Sequence, residues 1–266
     1  MKRAFKVLLV FLSILFCIVA LSVIRLVFVS WPLRRTRIAS YVVHYNNKFI
    51  AAILGIKIKL SGQTQFLKTK GTFFVSNHLS YIDGVVVSSI SPLIFIGRSD
   101  LKTWPLFGAL TNLSDTIFVN RINYSNIHNE LERIVSVLRA RINVVLFPEG
   151  TSTNGKELLP FKTSFFEAPL KAGCRIVPLA IRYLSVNGQE INQSNQDFVY
   201  WYGDMYFFPH LLGVAGLKEV VLEVKVFEPL ETENVNGKTF SFQRKYVGSV
   251  CQEIINNHLN HHETKT

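Results

Sequence analysis

The sequence predicts an α/β fold, in which a mixed, largely buried sheet is flanked by helices and preceded by an N-terminal helical membrane anchor. Three observations support this prediction. From residue 70 onward, short apolar runs alternate with segments of helical periodicity, residues 7–24 carry no charge, and 48% of the 266 residues are hydrophobic. Alternating strands and helices are typical of α/β domains, and about 20 apolar residues are enough to cross a bilayer.

The first predicted element is a hydrophobic helix over residues 7–30, because Leu26–Val29 extend the charge-free run past Arg25. Basic residues in front of the run would also suit a secretory signal peptide. The run is long for such a peptide, however, and no clear cleavage site of small residues follows it. We therefore expect a retained anchor, which either crosses the membrane once or re-enters it together with a second helix.

That second helix is predicted over residues 38–56, where apolar side chains recur at helical spacing between polar ones. Such an amphipathic helix either lies in the membrane interface or packs on a domain core, and periodicity alone does not separate the two. We divide the chain accordingly into a membrane anchor over residues 1–60 and an α/β domain over residues 61–266.

The net charge of +11 belongs to the N-terminal third of the chain. The residues before Asp83 include 12 basic and no acidic side chains, whereas the remainder holds 17 basic and 18 acidic ones. Because the basic residues are interleaved with a bilayer-length apolar run, they indicate an anionic membrane surface as partner and not nucleic acid. Of the two basic flanks of the apolar run, the one before the α/β domain is the heavier. This favours a position of that domain on the cytosolic side of the cytoplasmic (inner) membrane. Three scattered cysteines indicate no disulfide framework.

In the α/β domain, strands are predicted at seven apolar runs and helices at two strongly periodic segments. The predicted strands are 72–75, 93–96, 116–119, 143–147, 175–181, 197–202 and 219–227, and the predicted helices are 124–141 and 238–259.

The most informative stretch is Ser76–Asp83, which follows the first of these strands. Histidine ordinarily titrates near neutral pH, and a carboxylate bonded to one ring nitrogen leaves the other free to take a proton. His78 and Asp83 therefore make a candidate general base and its orienting carboxylate. Their spacing is wrong for one helical face, so we expect His78 in a turn and Asp83 in the first turn of the next element. A merely structural pair is the alternative.

Two further segments end strands with polar residues. Pro148 and Gly150 follow the strand that ends near 147, and Gly150 allows a ligand to approach the backbone, with Glu149 and Thr151 able to bond a polar substrate. A plain surface turn is equally compatible with this segment. Arg121 ends another strand and is able to hold a phosphate. Neither a Gly-rich phosphate loop nor a metal-ligand spacing is present, so we predict no metal site.

Taken together and in order, these segments resemble the four blocks of the glycerolipid acyltransferases, notably the bacterial 1-acylglycerol-3-phosphate type. The matching segments are Asn77–Asp83 (NHxxxxD), Ile117–Arg121, Phe147–Ser152 (FPEGTS) and Ile176–Ile181. Two positions depart from the usual pattern. Asn120 stands where the family often has an acid, and Phe161-Lys162-Thr163 replaces a more usual Phe-Lys-x-Gly. Both departures are compatible with another acceptor, such as a lyso-aminolipid.

The resemblance implies roles for individual residues. His78 and Asp83 would be catalytic, with His78 as the base that deprotonates the hydroxyl of a lysolipid. The implied substrate-binding residues are Asn77, Arg121, Glu149, Gly150, Thr151 and Lys162. The acyl donor would be acyl-CoA or acyl carrier protein, with no cofactor, and the product would be phosphatidate made from lysophosphatidate. Alternatives left open are another lysolipid acceptor, a thioester or lipid hydrolase, and a non-catalytic membrane-binding module.

Overall fold

The computed structural model describes residues 2–104, 107–119, 127–230 and 240–260. The described helices are α1 Arg3–Val27, α2 Pro32–Leu54, α3 Tyr81–Ile90, α4 Phe107–Leu113, α5 Ile127–Arg139, α6 Glu167–Ala172, α7 Phe207–Gly216 and α8 Phe240–Asn260. The described strands are β1 Ile56–Gly62, β2 Phe73–Ser76, β3 Leu93–Arg98, β4 Ile117–Val119, β5 Asn143–Leu146, β6 Ile176–Val186, β7 Gln189–Glu190 and β8 Val220–Val226.

The strands form one mixed sheet in the order β1-β8-β6-β2-β5-β3-β4, with the short β7 paired to the end of β6. β6 pairs antiparallel with β8 and β7, and the other neighbours are parallel. Parallel strands covered on both faces are built from nearly continuous apolar runs, and every residue of β2 and β5 is buried. The prediction of a mixed, largely buried sheet is confirmed.

Helices cover both faces of the sheet, and the pleat of each strand decides which side chains meet which helices. In β2, Phe74 packs in a core with residues of α2, α3 and α7. Phe73 and Val75, on the opposite face, pack in a second core with residues of α5 and α8. The central strand β2 therefore ends between two helical layers, and the loop after it carries His78.

Within the described ranges, α1 is the one helix that is long and apolar enough to cross a membrane. Of its most apolar 18-residue stretch, 22% is buried. It packs on α2 through a small apolar core that includes Cys17, Leu21, Ala39 and Val43. It also touches the α/β domain near both of its ends. Lys6 Nζ donates to the Leu217 carbonyl at 2.6 Å, and Arg25 lies 3.5 Å from the Asn112 carbonyl.

Helix α2 lies against α3, the helix that carries Asp83. The side-chain amide of Asn47 donates to Ser88 Oγ at 2.6 Å, and His44 Nδ1 lies 2.7 Å from the Ser88 carbonyl oxygen. Proline at the first helical position favours the start of α2 at Pro32, and the left-handed backbone of Gly55 (φ 75°) ends it. The next strand, β1, was not predicted. It runs across the predicted boundary at residue 60, and the division of the chain into a membrane anchor and an α/β domain stays a prediction.

One predicted strand is wrong. Residues 197–202 form a short 3-10 turn, Gln196–Phe198, followed by irregular backbone. The amides of Val199 and Tyr200 bond back to the Gln196 carbonyl, and the Trp201 amide bonds the Leu79 carbonyl at 2.9 Å. The apolar run that suggested a strand instead packs its side chains beside the loop after β2.

Candidate active site

The His78 loop connects the end of β2 to the start of α3, and local hydrogen bonds fix how α3 begins. Ser80 is the N-cap residue, and its side chain accepts from the Ile82 amide at 3.4 Å. Asp83 completes a capping box by accepting from the Ser80 amide at 2.8 Å. A carboxylate in the first turn also suits the positive end of the helix dipole. Asp83 is thereby held at the base of the loop that presents His78.

His78 and Asp83 form a hydrogen-bonded pair, with 3.0 Å between His78 Nδ1 and Asp83 Oδ2. The Asp83 side chain is fully buried, whereas that of His78 is 22% exposed. Asp83 Oδ2 also accepts from the Leu79 amide at 2.6 Å. Because an ionised carboxylate only accepts hydrogen bonds, Nδ1 carries the proton and Nε2 is left as the acceptor. The imidazole stacks on Phe147, with 4.4 Å between ring centroids.

Glu149 supports the same loop from the end of β5. One carboxylate oxygen accepts from the His78 amide at 2.7 Å, and the other accepts from the Leu159 amide at 3.1 Å. The Thr153 amide in turn donates to the His78 carbonyl at 3.0 Å. Glu149 is buried, and burial raises its pKa to about 7, against the two backbone N–H groups, which favour the ionised form. In this structure Glu149 therefore bonds the backbone of the His78 loop.

This raised pKa predicts how stability depends on pH. Because the pKa of Glu149 is raised in the folded state, the folded chain holds this proton at a pH where the unfolded chain has lost it. The resulting contribution to folding stability is fully present below pH 4.5 and is lost as the pH rises to about 7. Glu149→Gln removes this titration. We expect the advantage of wild type over the variant, measured by thermal unfolding in detergent, to shrink by up to about 3 kcal/mol between pH 5 and pH 8. An advantage that grows toward pH 8 would contradict the assignment.

The other predicted substrate-binding residues have different settings. Asn77 is buried, and its side chain exchanges two hydrogen bonds with the backbone of Ile181, at 2.9 and 2.8 Å, which ties the loop to β6. Gly150 is buried, and its backbone is left-handed with φ 82°. Thr151 and Lys162 are exposed. The Lys162 amide donates to the Pro148 carbonyl at 2.9 Å. The predicted phosphate ligand Arg121 lies outside the described residues.

One residue at the site was missed by the sequence analysis. The Tyr183 hydroxyl donates to Asp83 Oδ1 at 2.7 Å from the middle of β6. Tyr183 follows Ile181 by two positions, so both side chains point to the same buried face of the sheet. A tyrosine among aliphatic residues on a buried face generally needs a hydrogen-bond partner for its hydroxyl. This need was the signal in the sequence that could have identified Tyr183 as a residue of the site.

An aromatic cluster adjoins the loop on the α7 side. Tyr81, at the start of α3, packs against Trp201 and Phe207 with ring centroids 6.0 and 4.9 Å apart, and Trp104 joins the same group. Beyond this cluster, Tyr206 and Phe208 are 81% and 65% exposed. Exposed apolar surface of this kind is typical of sites that meet hydrophobic partners. The loop that carries His78 therefore adjoins a surface suited to alkyl chains.

Within the part of the chain that the structure describes, no group of three or more His, Cys, Asp or Glu side chains is placed to hold a metal ion. The expectation that the site uses no metal stays a prediction.

A family model described as Acyltransferase matches residues 57–182, which begin in β1 and end in β6. Lyso-ornithine lipid O-acyltransferase of Rhizobium meliloti (strain 1021) is 35% identical to this chain over 181 residues, which are 65% of this chain and 61% of that protein. The protein of the same name from Brucella abortus (strain 2308) is 32% identical over 194 residues, which are 70% of this chain and 72% of that protein.

A third relative is the 1-acyl-sn-glycerol-3-phosphate acyltransferase of Escherichia coli (strain K12), 31% identical over 54% of this chain and 58% of that protein. Among solved structures, the crystal structure of the 1-acyl-sn-glycerophosphate (LPA) acyltransferase PlsC from Thermotoga maritima is similar in fold, with a TM-score of 0.60. It is 16% identical and covers 98% of both chains. The family model, which includes the whole His78 loop, and the Brucella relative together show that this chain belongs to the glycerolipid acyltransferase family.

Proposed function

We propose that this protein is a membrane-bound O-acyltransferase that moves an acyl chain from a thioester to the free hydroxyl of a lysolipid. The observation that carries the proposal is the His78–Asp83 pair, in which a buried carboxylate fixes Nδ1 and leaves Nε2 as a proton acceptor. The neighbouring aromatic cluster supports a lipid as the substrate of this base. The donor would be acyl-CoA or acyl carrier protein, and no cofactor is required for the chemistry.

In the proposed reaction, His78 Nε2 takes the hydroxyl proton as the lysolipid oxygen attacks the thioester carbonyl carbon. A carbon–oxygen bond forms and gives a tetrahedral intermediate, which collapses as the carbon–sulfur bond breaks. The thiolate leaves and receives the proton from the imidazolium. Asp83 stabilises that imidazolium while its charge lasts. The reaction needs no covalent acyl-enzyme, because the base activates the acceptor hydroxyl directly.

Two acceptors are supported by different observations. Lysophosphatidate follows from the resemblance of the sequence blocks, with Arg121 as the expected phosphate ligand, and the Escherichia coli relative is named for a reaction on a glycerol phosphate. A lyso-ornithine lipid is favoured by the names of two relatives with higher identity, 35% and 32%. Ornithine carries a carboxylate and a side-chain amine, whereas lysophosphatidate carries a phosphate, so the two acceptors make different demands on the charge of the headgroup pocket.

The N-terminal helices support a membrane location for the reaction. Exposed apolar side chains cover α1, among them Phe16 and Leu26, which are 72% and 77% exposed. The basic residues before Asp83 would attract the protein to anionic headgroups, at roughly 1 kcal/mol for each basic residue near the surface. We propose the cytoplasmic (inner) membrane, with the α/β domain on the cytosolic side.

A panel of acceptors tests this function. Purified full-length protein in mixed micelles would receive labelled acyl-CoA or acyl carrier protein together with lysophosphatidate, lyso-ornithine lipid or lysophosphatidylcholine. We expect labelled diacylated product from at least one of the first two acceptors. Product from lyso-ornithine lipid alone would remove lysophosphatidate as the acceptor. Labelled free fatty acid without any acylated lipid would favour the hydrolase and overturn the proposal.

A further inference from the structure

The two oxygens of the Asp83 carboxylate have different partners. Oδ2 accepts from three N–H groups, those of the His78 ring, Leu79 and Ser80. Among the described residues, Oδ1 accepts from one donor, the hydroxyl of Tyr183, at 2.7 Å. The carboxylate is fully buried, so water does not replace a lost donor without rearrangement. One oxygen of the Asp83 carboxylate is therefore bonded by a residue 100 positions away in the sequence.

Tyr183 is held rigidly enough to act as a fixed donor. It is buried in β6, between β2 and β8, and its ring meets that of Tyr200 edge-on at 5.4 Å. The pairing of β6 with β8 is irregular between Tyr183 and Ser185, and such irregularities redirect side chains next to functional sites. Burial, reinforced by the Asp83 carboxylate, raises the pKa of Tyr183 well above its usual range, so its hydroxyl keeps its proton at assay pH.

We infer that Tyr183 is a positioning residue of the acyl-transfer reaction, whose hydroxyl holds Asp83 Oδ1 so that the carboxylate stays ionised and aimed at His78 Nδ1. This inference rests on the proposed function, since it gives Tyr183 a task only if the His78–Asp83 pair acts as the base. It goes further than the family blocks, which end before this position.

The hydroxyl of Tyr183 affects the two protonation states of the pair unequally. When His78 is neutral, the negative charge of Asp83 is balanced by hydrogen bonds alone, and each donor matters. When His78 is protonated, the imidazolium itself neutralises the carboxylate. Removing the donor therefore destabilises the neutral-imidazole state more, and the pair takes up a proton at higher pH. Among the described residues, Glu149 interacts electrostatically with both members of this pair, and Tyr81 and Tyr200 interact with Tyr183.

Tyr183→Phe tests the inference through the pH profile of kcat. We expect the acid limb of the profile to move up by roughly one pH unit, which corresponds to the loss of one hydrogen bond to a buried charge. On that limb kcat falls about 10-fold, whereas on the alkaline plateau it stays within a few-fold of wild type and KM is unchanged. Tyr200→Phe is the matched control, because it removes a hydroxyl from the adjoining ring without removing a donor to Asp83.

A purely structural tyrosine would give a different result, namely an equal loss of activity at every pH or no loss at all. Either outcome overturns the inference. Burial raises the pKa of Glu149 to about 7, so its protonation is also able to affect the acid limb. The comparison is therefore repeated in the Glu149→Gln background, where the shift is expected to persist. A shift that vanishes there would assign the acid limb to Glu149 and also overturn the inference.

A second substitution keeps the ring and the hydroxyl, so it does not depend on the phenylalanine variant folding. Incorporating 3-fluorotyrosine at position 183 makes the phenol more acidic and a stronger donor. We expect the acid limb to move to lower pH, opposite to the effect of Tyr183→Phe, and a limb that stays in place contradicts the inference. Full acylation activity of His78→Ala would remove His78 as the base, and absence of acylated lipid with the wild-type protein would show that the proposed function has failed; both results are independent of the Tyr183 substitutions.

Discussion

His78→Ala is expected to lower kcat for lysolipid acylation about 10³-fold, the largest effect of any single substitution considered for this protein. The expectation follows from the geometry of the loop, in which the imidazole is partly exposed and Asp83 occupies one of its two nitrogens. General bases contribute roughly 10²- to 10⁴-fold to rate. Initial rates with saturating acceptor and donor measure the effect directly.

The matched control for this variant is His128→Ala, which removes an exposed imidazole from α5. It should leave kcat unchanged. His78→Ala keeps the backbone bonds to Glu149 and Thr153 but loses the ring bond to buried Asp83, so we expect it to fold and to unfold at a lower temperature than wild type. A folded His78→Ala protein that acylates lysolipid at the wild-type rate would leave the base unidentified and remove the proposed mechanism.

Asp83→Asn is expected to lower kcat about 10²-fold while leaving the fold intact. The amide oxygen of asparagine can occupy the place of Oδ2 and accept from His78, Leu79 and Ser80, while its NH₂ group faces the Tyr183 hydroxyl, which is able to accept. The tautomer of His78 is thereby kept, and what disappears is the negative charge that stabilises the imidazolium. The loss is therefore smaller than that of the base itself, and thermal unfolding should change little.

Asp83→Asn also tests the role of Tyr183 when the two substitutions are combined. Without a carboxylate, the hydroxyl of Tyr183 has no charge to stabilise, so Tyr183→Phe added to Asp83→Asn should lower kcat by less than it does in wild type. Residues in one hydrogen-bond network show such non-additivity. An Asp83→Asn protein with wild-type kcat would mean that the carboxylate serves folding alone.

The sequence predicted the local part of this site well. The apolar run of β2 and the polar turn after it are contained within about ten residues, so the end of the strand and the position of the turn are visible together. The placement of His78 in the turn and of Asp83 in the first turn of α3 follows from that local pattern.

The parts that were missed depend on contacts distant in sequence. β1 has alternating exposed lysines, Lys57 and Lys59, and follows an amphipathic helix directly, so periodicity gave no boundary except Gly55. Tyr183 gains its meaning only because β6 lies beside β2. Glu149 was expected to face substrate, whereas its buried oxygens bond the backbone amides of His78 and Leu159. No spacing rule in the sequence indicates which backbone amides a buried carboxylate will meet.

The most direct test of the central claim measures thiol release from an acyl thioester by the wild-type protein, with and without a lysolipid acceptor. If His78 activates the acceptor hydroxyl itself, thiol release requires acceptor and equals the acylated lipid formed. A burst of thiol without acceptor would indicate a covalent acyl-enzyme, and steady release at the same rate without acceptor would indicate hydrolysis. Either result would contradict direct transfer from thioester to lipid.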